Sequence, residues 1–430
     1  MLSEKSHYAV QLNRLFLMPI GVWPIGRDAP LVQRLLKRLA IIGCYFLMSY
    51  LLVPTALHTF LEEPDPAIKL KLIGPMSFHL MAIGKYVSLV GRNEEISACF
   101  EHVEEDWKMY SDKNAKPELE MMKRNAKVGR FLIYLCAAFM YGGGFFYHMI
   151  MPLSVGRLVT KQVRAERYLQ LLAENASTDN IDVEPVRVLS YPIYGLLAKL
   201  DYVTLLLVQF VAGFVLYTIT IASCSLAAVF ANHVCGQLEI VMSLLRDFVH
   251  DNEDNPRIYA LADDAATVER SRSDKFEEIV QRHLRALNFA SRVEKNLNAI
   301  CFVEFIGCTL NICFLEYYFI TVWLKRKIYP QEWENQNTVS TMTYCILLIS
   351  FIFNIFIFCY IGELLTEQSK KIGEVTYAIN WYTLSGKRAV DLIMIIMIAS
   401  CYPARITAGK MVNLSLGSFC NIYANLIQLV

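Results

Sequence analysis

Seven long apolar runs, separated by charged segments, dominate the pattern of the chain. Each has at least about the 20 residues that an α-helix needs to cross the hydrocarbon core of a bilayer. They cover residues 39–61, 70–90, 131–153, 200–230, 299–324, 339–361 and 411–430. The pattern predicts an all-α membrane protein with seven transmembrane helices.

The last apolar run carries a stripe of polar side chains. These recur at steps of three or four residues, which places them on one face of a helix. They are Ser418, Asn421, Asn425 and Gln428. Because amide side chains are costly in hydrocarbon without water or a partner, the stripe indicates either a water-filled pore or hydrogen bonds to a neighbouring helix.

Apolar stripes at helical spacing also follow the fourth run and precede the fifth. The first comprises Leu238, Val241, Leu245 and Phe248, and the second Phe276, Val280, Leu284 and Leu287. Since the opposite faces are polar, both segments predict amphipathic helices that pack together in water. The apolar run 389–402 is too short to cross a membrane, and we expect it to form a helix that packs against these two amphipathic helices.

This reading divides the chain into five regions. Residues 1–232 hold the N-terminal segment and transmembrane helices 1–4, and residues 299–366 hold helices 5 and 6. Residues 233–298 are the extramembrane extensions of helices 4 and 5, and residues 367–410 are a loop and the first half of helix 7. Those two regions together predict a helical anchor domain outside the membrane. Residues 411–430 are the last membrane helix.

Composition supports a membrane protein, and charge orients it. The 430-residue chain is 55% hydrophobic and only 19% charged, whereas soluble domains are about a quarter charged. Most of the Lys and Arg residues between the apolar runs lie in the segments on the same side of the membrane as the N-terminus. Because such residues are enriched on the cytosolic side, this bias predicts that the N-terminus and the anchor domain are cytosolic. The C-terminus then lies outside, as does Asn175 in an Asn-Ala-Ser glycosylation pattern.

Motifs that carry catalytic chemistry are scarce in the sequence. The twelve cysteines form no Cys-x-x-Cys pair, which argues against a zinc site and a disulfide framework, and no hydrolase, P-loop or metalloprotease motif occurs. We expect no enzyme activity, no metal and no cofactor, and a net charge of +1 indicates no nucleic-acid partner. Glu304 and Glu316 fall inside the fifth run, where a carboxylate is either functional or able to reach interfacial water.

The sequence resembles insect odorant receptors, most specifically near its C-terminus. The residues that carry the resemblance are Asn380–Leu384, Arg388, Tyr402–Lys410, Asn413, Leu414 and Phe419, with Leu12–Arg14 and Gly21–Pro24 similar to the starts of ant and bee receptors. In architecture the resemblance covers the whole chain. The segment between helices 4 and 5 is shorter than in the shared co-receptor, so the chain is more similar to a ligand-tuning subunit.

The resemblance implies an odorant-gated, non-selective cation channel in the plasma membrane of a sensory dendrite. Four subunits, among them an olfactory co-receptor subunit, would surround one pore lined by the last helix of each. The implied partners are this co-receptor, a small volatile odorant, permeating cations and membrane lipid. The polar stripe supplies Ser418 and Asn421 as pore candidates, and the family's gate, near the outer end of that helix, points to Asn425, Leu426, Gln428 and Leu429.

The resemblance also implies an odorant site in the outer half of the bundle, enclosed by helices 2, 3, 4, 5 and 6. Apolar and aromatic side chains with few polar anchors suit such a ligand, and His79 and His148 are the candidate anchors. Candidates of suitable depth and type are Met76, His79, Ile83, Tyr141, Phe145, Phe146, His148, Met149, Tyr202, Leu206, Gln209, Tyr344, Leu348 and Phe351. Ordinary bundle packing is the alternative for each residue. A G-protein-coupled receptor or a transporter, each with a cytosolic C-terminus, is the alternative function.

Overall fold

A computed structural model describes residues 4–26, 29–112, 115–173, 184–192, 201–253, 265–328, 338–380 and 386–429. The helices in these ranges are α1 (Glu4–Leu17), α2 (Leu31–Leu57), α3 (Pro66–Gly91), α4 (Asn93–Asp112), α5 (Lys116–Phe145), α6 (Met151–Ala173), α7 (Tyr202–Glu253), α8 (Ala265–Ile328), α9 (Thr338–Ala378), α10 (Gly386–Cys401) and α11 (Leu416–Leu429). Short π-helical turns, His58–Glu62 and Phe146–Ile150, follow α2 and α5, and strands β1 (Thr407–Ala408) and β2 (Val412–Asn413) pair antiparallel. The predicted glycosylation site, Asn175, lies outside the described residues.

The predicted membrane spans fall on α2, α3, α5, α7, α8, α9 and α11. Within the ranges described above, five helical segments are long and apolar enough by themselves to cross a membrane: Leu31–Glu62, Lys116–Tyr168, Tyr202–His250, Ser273–Leu324 and Thr338–Ala378. Of the others, α3 has 26 residues, a length of about 39 Å, and packs against α2, α7 and α8. The last helix, α11, has 14 residues, a length of about 21 Å.

Helix α7 is the centre of the bundle. It packs against α1, α2, α3, α5, α8 and α9, and every side chain from residue 216 to residue 238 is buried. Its 52 residues extend about 78 Å, more than twice the thickness of the hydrocarbon core. The prediction that the fourth membrane helix projects beyond the bilayer is therefore confirmed.

The inner extensions of α7 and α8 pack with α4 and α5. The apolar stripe predicted on α7 is confirmed, because all four of its side chains are buried. The stripe predicted on α8 is right only in part: Phe276 and Val280 pack against the core, whereas Leu284 is 49% exposed. The buried face of α8 is formed by Ile279, His283, Ala286, Phe289 and Val293. This buried face is offset by one residue from the predicted stripe, which corresponds to about 100° of rotation around the helix. Both faces carry enough apolar side chains to resemble a core face in the sequence.

The loop predicted after the sixth span is wrong in its extent. Helix α9 continues to Ala378, and its inner half buries Leu365, Ile372 and Thr376. The short apolar run that follows is helical as predicted, and this helix, α10, packs along α9. The two helices give the inner end of the bundle an additional layer.

The last helix begins five residues later than predicted, at Leu416 rather than Met411. A tight hairpin occupies residues 407–413, and its three-residue loop separates the paired residues Ala408 and Val412. Within the loop Gly409 and Lys410 have positive φ angles of 61° and 60°, a backbone conformation that is typical of short hairpin loops. After the turn, Ser415 caps α11 by accepting a hydrogen bond from the backbone N–H of Ser418 at 3.1 Å.

Candidate functional site

A cavity of about 170 Å³ lies in the half of the bundle nearest the start of α3 and the end of α8. Because the charge distribution places the N-terminus in the cytosol, this is the outer half. Residues from α3, α7, α8 and α9, together with two tyrosines from the chain that precedes α7, form its wall. The lining residues are Leu70, Lys71, Gly74, Pro75, Phe78, Tyr147, Tyr191, Tyr217, Asn311, Phe314, Leu315, Tyr317, Tyr318, Thr321, Val322, Tyr344, Leu347 and Phe351.

Aromatic side chains dominate the wall of this cavity, with six tyrosines and three phenylalanines. Asn311 supplies an amide whose Nδ2 donates to the carbonyl oxygen of Gly307 at 2.8 Å, and its Oδ1 has no hydrogen-bond partner among the described residues. At the outer end, the ammonium of Lys71 lies 5.8 Å from the ring centroid of Tyr318. An aromatic wall with few polar atoms suits a small and largely apolar molecule.

Three aromatic rings close the inner end of the cavity. The ring of Phe78 lies 5.3 Å from that of Tyr217 and 5.6 Å from that of Phe351, measured between centroids. Tyr217 in turn packs directly on Gly144, where a Cβ atom would overlap its ring. The glycine on α5 therefore lets α5 and α7 approach closely enough to form the floor of the cavity.

Two of the predicted ligand residues, Tyr344 and Phe351, line this cavity, and the others lie elsewhere in the bundle. Those buried outside it are Met76, His79, His148, Leu206 and Gln209, and those partly buried are Ile83, Tyr141, Met149, Tyr202 and Leu348. Phe145 and Phe146 are exposed, at 47% and 37%. Contact of any of these residues with a ligand stays a prediction.

The two candidate anchors, His79 and His148, lie behind the cavity wall. Their rings pack against Tyr191, with centroid distances of 5.0 Å and 5.7 Å. Each Nδ1 lies near a carbonyl oxygen one helical turn earlier, that of Pro75 at 2.8 Å and that of Gly144 at 3.2 Å. Both Nε2 atoms are buried without a hydrogen-bond partner among the described residues. The histidines border the cavity through residues of its wall: His79 through Tyr191 and Pro75, and His148 through Tyr147, Tyr191 and Tyr217.

The wall contributed by α8 was missed by the sequence predictions. Its residues recur at steps of three or four along the helix, which is the spacing of one helical face. The residues on this face are Asn311, Phe314, Leu315, Tyr318, Thr321 and Val322, and Tyr317 lines the cavity beside them. Asn311 and Thr321, the polar residues of this otherwise apolar and aromatic stripe, were the sequence signal that could have identified this wall. Tyr191 belongs to a non-helical segment without periodicity, so no sequence pattern identifies it.

A buried ion pair joins α3 and α8 about two turns inward of the cavity. The ammonium of Lys85 donates to a carboxylate oxygen of Glu304 at 2.8 Å, and the two side chains are 0% and 1% exposed. Lys85 also donates to the hydroxyl of Thr220, and Glu304 accepts from Asn354 and from the thiol of Cys308. The interfacial-water alternative is thus wrong for Glu304, whose partner is an internal lysine.

The last helix packs on α9 through its first turns. The ring of Phe419 lies 5.5 Å from that of Phe356, and the carboxylate of Glu363 accepts the backbone N–H of Leu416 at 3.0 Å. The hydroxyl of Ser418, a predicted pore residue, instead donates to the carbonyl oxygen of Asn413 at 2.8 Å. Asn421 is exposed. The side chains of Asn425, Leu426, Gln428 and Leu429 lie outside the described residues.

A polar cluster ties α4, α7 and α8 together at the cytosolic end. The carboxylate of Asp106 lies 3.3 Å from His102 and 3.0 Å from His233, and Arg285 donates to it at 2.9 Å. Arg292 donates to Nδ1 of His102 at 3.0 Å. His102 must therefore carry its proton on Nε2, the atom that faces Asp106, so this atom has no lone pair for a metal ion. The cluster is better explained as a hydrogen-bonded joint.

Burial sets the protonation state of this cluster. It is the main reason that the pKa of His102 falls to about 4, and nearby arginine charges lower it further. For Asp106, burial acts to raise the pKa, but the hydrogen bond from His233 and the neighbouring positive charges outweigh it, so the pKa is below its ordinary value. The joint thus consists of a neutral His102 and a charged Asp106 at neutral pH.

A family model described as "7tm Odorant receptor" matches residues 70–426 of the chain. The chain belongs to the 7tm odorant receptor family. Among similar odorant receptors of Drosophila melanogaster, odorant receptor 13a is 23% identical over 229 residues, which are 50% of this chain and 49% of the relative. Odorant receptor 22c is 21% identical over 38% of this chain and 37% of the relative. The chain thus matches half or less of the length of these relatives.

Solved structures of an insect olfactory receptor share the fold of this odorant receptor chain. The structure of the insect olfactory receptor OR5 from Machilis hrabei in complex with eugenol superposes with a TM-score of 0.68 at 12% identity, and 100% of each chain is covered. A second structure of the same receptor gives a TM-score of 0.69 at 13% identity and covers 99% of this chain and 98% of the other. At this identity the likeness establishes the fold alone.

The segment that carried the resemblance to odorant receptors builds the hairpin before the last helix. Gly409 donates its backbone N–H to the carbonyl oxygen of Asn298 at 3.0 Å and packs on the ring of Phe302. The hydroxyl of Thr407 donates to the carboxylate of Glu294 at 2.6 Å. The hairpin is therefore fastened to α8, and it fixes where α11 starts.

Proposed function

We propose that this chain is the ligand-tuning subunit of an odorant-gated, non-selective cation channel. A small volatile molecule binds in the aromatic cavity of the outer bundle and favours an open pore lined by α11. The chain assembles as a tetramer with an olfactory co-receptor subunit in the plasma membrane. The observation that carries the proposal is that one helix, α9, forms both a wall of the cavity and the seat of the last helix.

The path from the cavity to α11 is short. Phe351 lines the cavity, and Phe356, five residues further along α9, contacts Phe419 of α11. Glu363 then holds the first backbone N–H of α11. A ligand shifts a conformational equilibrium only by its differential affinity for the two states. A molecule that fits the cavity better when α9 has moved would therefore displace the start of α11 as well.

Family membership supports this function, and the cavity supports the class of ligand. The OR5 receptor of Machilis hrabei, which shares the fold, has been solved in complex with eugenol, and we infer that this chain also takes a small organic molecule. Its six tyrosines and its free Asn311 oxygen favour a compact molecule with a large apolar part and a single polar group.

The test of the cavity is to fill it without disturbing the backbone. Gly74 lines it, and a Cβ at this position would meet only the Cβ of Phe314, at an ordinary contact distance of 3.7 Å. We expect Gly74→Leu to raise the odorant concentration for half-maximal current by at least about tenfold, which corresponds to ~1.4 kcal/mol of lost burial. Currents would be recorded from cells that co-express the co-receptor, against an odorant panel.

The matched control for this variant is Gly43→Leu. Gly43 is also inside a helix, α2, and a Cβ there would meet nothing within 4 Å. Surface expression of both variants would be measured with an extracellular tag. Equal odorant responses of Gly74→Leu and wild type, at equal surface expression, would exclude this cavity as the ligand site.

The pore and the topology need separate tests. Gln428→Ala or Leu429→Ala should alter conductance, ion preference or basal current, and unchanged currents would remove these residues from the pore. A tag on the C-terminus should be accessible to antibody on intact cells. A tag that is accessible only after permeabilisation would favour the G-protein-coupled receptor or transporter alternative.

A further inference from the structure

A large groove runs between the N-terminal helix and the first membrane helix, at the cytosolic end of the bundle. It has a volume of about 1260 Å³ and is bordered by α1, the segment that connects α1 to α2, the start of α2 and one face of α5. Its apolar wall includes Leu15, Met18 and Leu36, which are 61%, 60% and 59% exposed. Its α2 residues, Gln33, Leu36, Lys37 and Ala40, lie at the start of the first apolar span, so we expect the groove to open onto the inner lipid leaflet.

Hydrogen bonds to the rest of the bundle hold the groove in shape. Helix α1 is fastened to α7 by a hydrogen bond from Asn13 to Ser225 at 3.1 Å. The turn after α1 is held by Tyr86, whose hydroxyl donates to the carbonyl oxygen of Ile20 at 2.8 Å. In that turn Gly21 has a φ of +71°, and a Cβ would lie 2.8 Å from a carbonyl oxygen of α2. Glycine therefore permits the contact between the turn and α2 that forms the end of the groove.

Three cations line this groove, and among the described residues none of them has a carboxylate partner. Lys37 donates to Asn93 at 2.7 Å and to the carbonyl oxygen of Trp23 at 3.3 Å, both neutral groups. Arg130 donates to the carbonyl oxygen of Tyr8 at 2.7 Å, also a neutral acceptor. Arg14 is exposed and has no described partner. Within the described residues, the groove thus combines an apolar wall with positive charge that no carboxylate neutralises.

We propose that this groove binds an anionic phospholipid of the cytoplasmic leaflet. Its phosphate lies against Arg14, Lys37 and Arg130, and an acyl chain follows the apolar wall formed by α1 and α2. Basic pockets between membrane helices on the cytosolic side are suited to anionic headgroups. A soluble anion would satisfy the charges but would leave the apolar wall in contact with water, so both features together favour a lipid. This proposal is independent of the odorant-gated function.

The experiment compares single-residue variants of the full-length protein in lipid nanodiscs. The nanodiscs contain phosphatidylcholine with a minor fraction of phosphatidylserine, and native mass spectrometry measures how much phosphatidylserine the released protein retains. We expect wild type to retain phosphatidylserine over phosphatidylcholine and Arg14→Ala to lower that retention about fivefold, the effect of one basic residue near an anionic surface. Arg14→Lys should restore most of it. Because Arg14 is exposed and its side chain has no partner in the part of the chain that the structure describes, folding should be unaffected, which size-exclusion chromatography checks.

The matched control is Arg38→Ala. Arg38 is exposed at the same end of α2, next to Lys37, but it does not line the groove, and its loss should leave retention unchanged. Equal losses in the two variants would reduce the effect to general surface charge and overturn the proposal. Equal retention of phosphatidylcholine and phosphatidylserine by wild type would also overturn it. Displacement of the lipid by inorganic phosphate would reassign the groove to a soluble anion.

Discussion

The ion pair between Lys85 and Glu304 offers the most direct test of how the bundle is held together around the cavity. It joins α3 and α8, two neighbouring helices that both contribute to the cavity wall. Lys85→Met removes the charge and keeps most of the side-chain volume. Glu304 would then remain buried with hydrogen bonds from Asn354 and Cys308 but without a cation.

The structure sets the expected magnitude. The two charged groups are 2.8 Å apart and at most 1% exposed, so water cannot replace the missing partner. Removing one member of such a pair costs about 3–5 kcal/mol. In a membrane the unfolded reference state also finds partners for polar groups, so we expect the lower end, about 3 kcal/mol. The double variant Lys85→Met with Glu304→Leu leaves no buried charge and should recover most of this loss.

Thermal unfolding of the purified protein in detergent, followed by size-exclusion chromatography, measures the effect. Lys69→Met is the control, because it makes the same change in α3 at a partly exposed position. We expect the midpoint to fall clearly for Lys85→Met, to change little for Lys69→Met and to recover in the double variant. A Lys85→Met protein as stable as the control would refute the reasoning. So would a double variant that is less stable than Lys85→Met alone.

Three further predictions concern other parts of the molecule. Gly144→Val should overlap the ring of Tyr217 and cost about 1–3 kcal/mol by overpacking, whereas Gly142→Val, with nothing within 4 Å, should be tolerated; thermal unfolding distinguishes them. Ser415→Ala removes the cap of α11 at a cost of ~1 kcal/mol, so the amides of its first turn should exchange faster with deuterium, and unchanged exchange would mean that the cap is not needed. Because the pKa of His102 is lowered to about 4, the unfolded chain takes up its proton first as the pH falls. Stability should therefore be full above about pH 6.5 and decline towards pH 4, and a His102→Gln variant that shows an undiminished decline would contradict this origin.

Helical periodicity predicted which helices are buried in the bundle but not which of their faces line the cavity. The ligand residues predicted on α3 were Met76, His79 and Ile83, whereas Gly74 and Phe78 on the adjoining face line the cavity. The chosen face includes buried residues as well, since His79 is 1% exposed and packs against Tyr191. A helix inside a bundle is apolar on several faces, so its sequence alone does not tell which face borders empty space.

The ion pair is another feature whose residues are visible in the sequence but whose contact is not. Both Lys85 and Glu304 stand out in the sequence as charges within apolar runs. Their pairing spans 219 positions in the chain, and no local spacing rule connects residues on separate helices. Only the packing of α3 against α8 brings the two groups together.

The sequence by itself determined the class of the protein, the approximate positions of its membrane helices, their orientation and the family, because hydrophobicity, charge bias and a local motif are properties of contiguous residues. Tertiary structure decided which faces of those helices enclose the cavity, which charges pair and where the last helix begins. These features depend on the rotation and contact of helices that are distant in sequence. Residues 411–415 illustrate both the sequence signal and its correction by the tertiary structure. They belong to an apolar run in the sequence, but the turn at Gly409 and its attachment to α8 keep them out of the last helix.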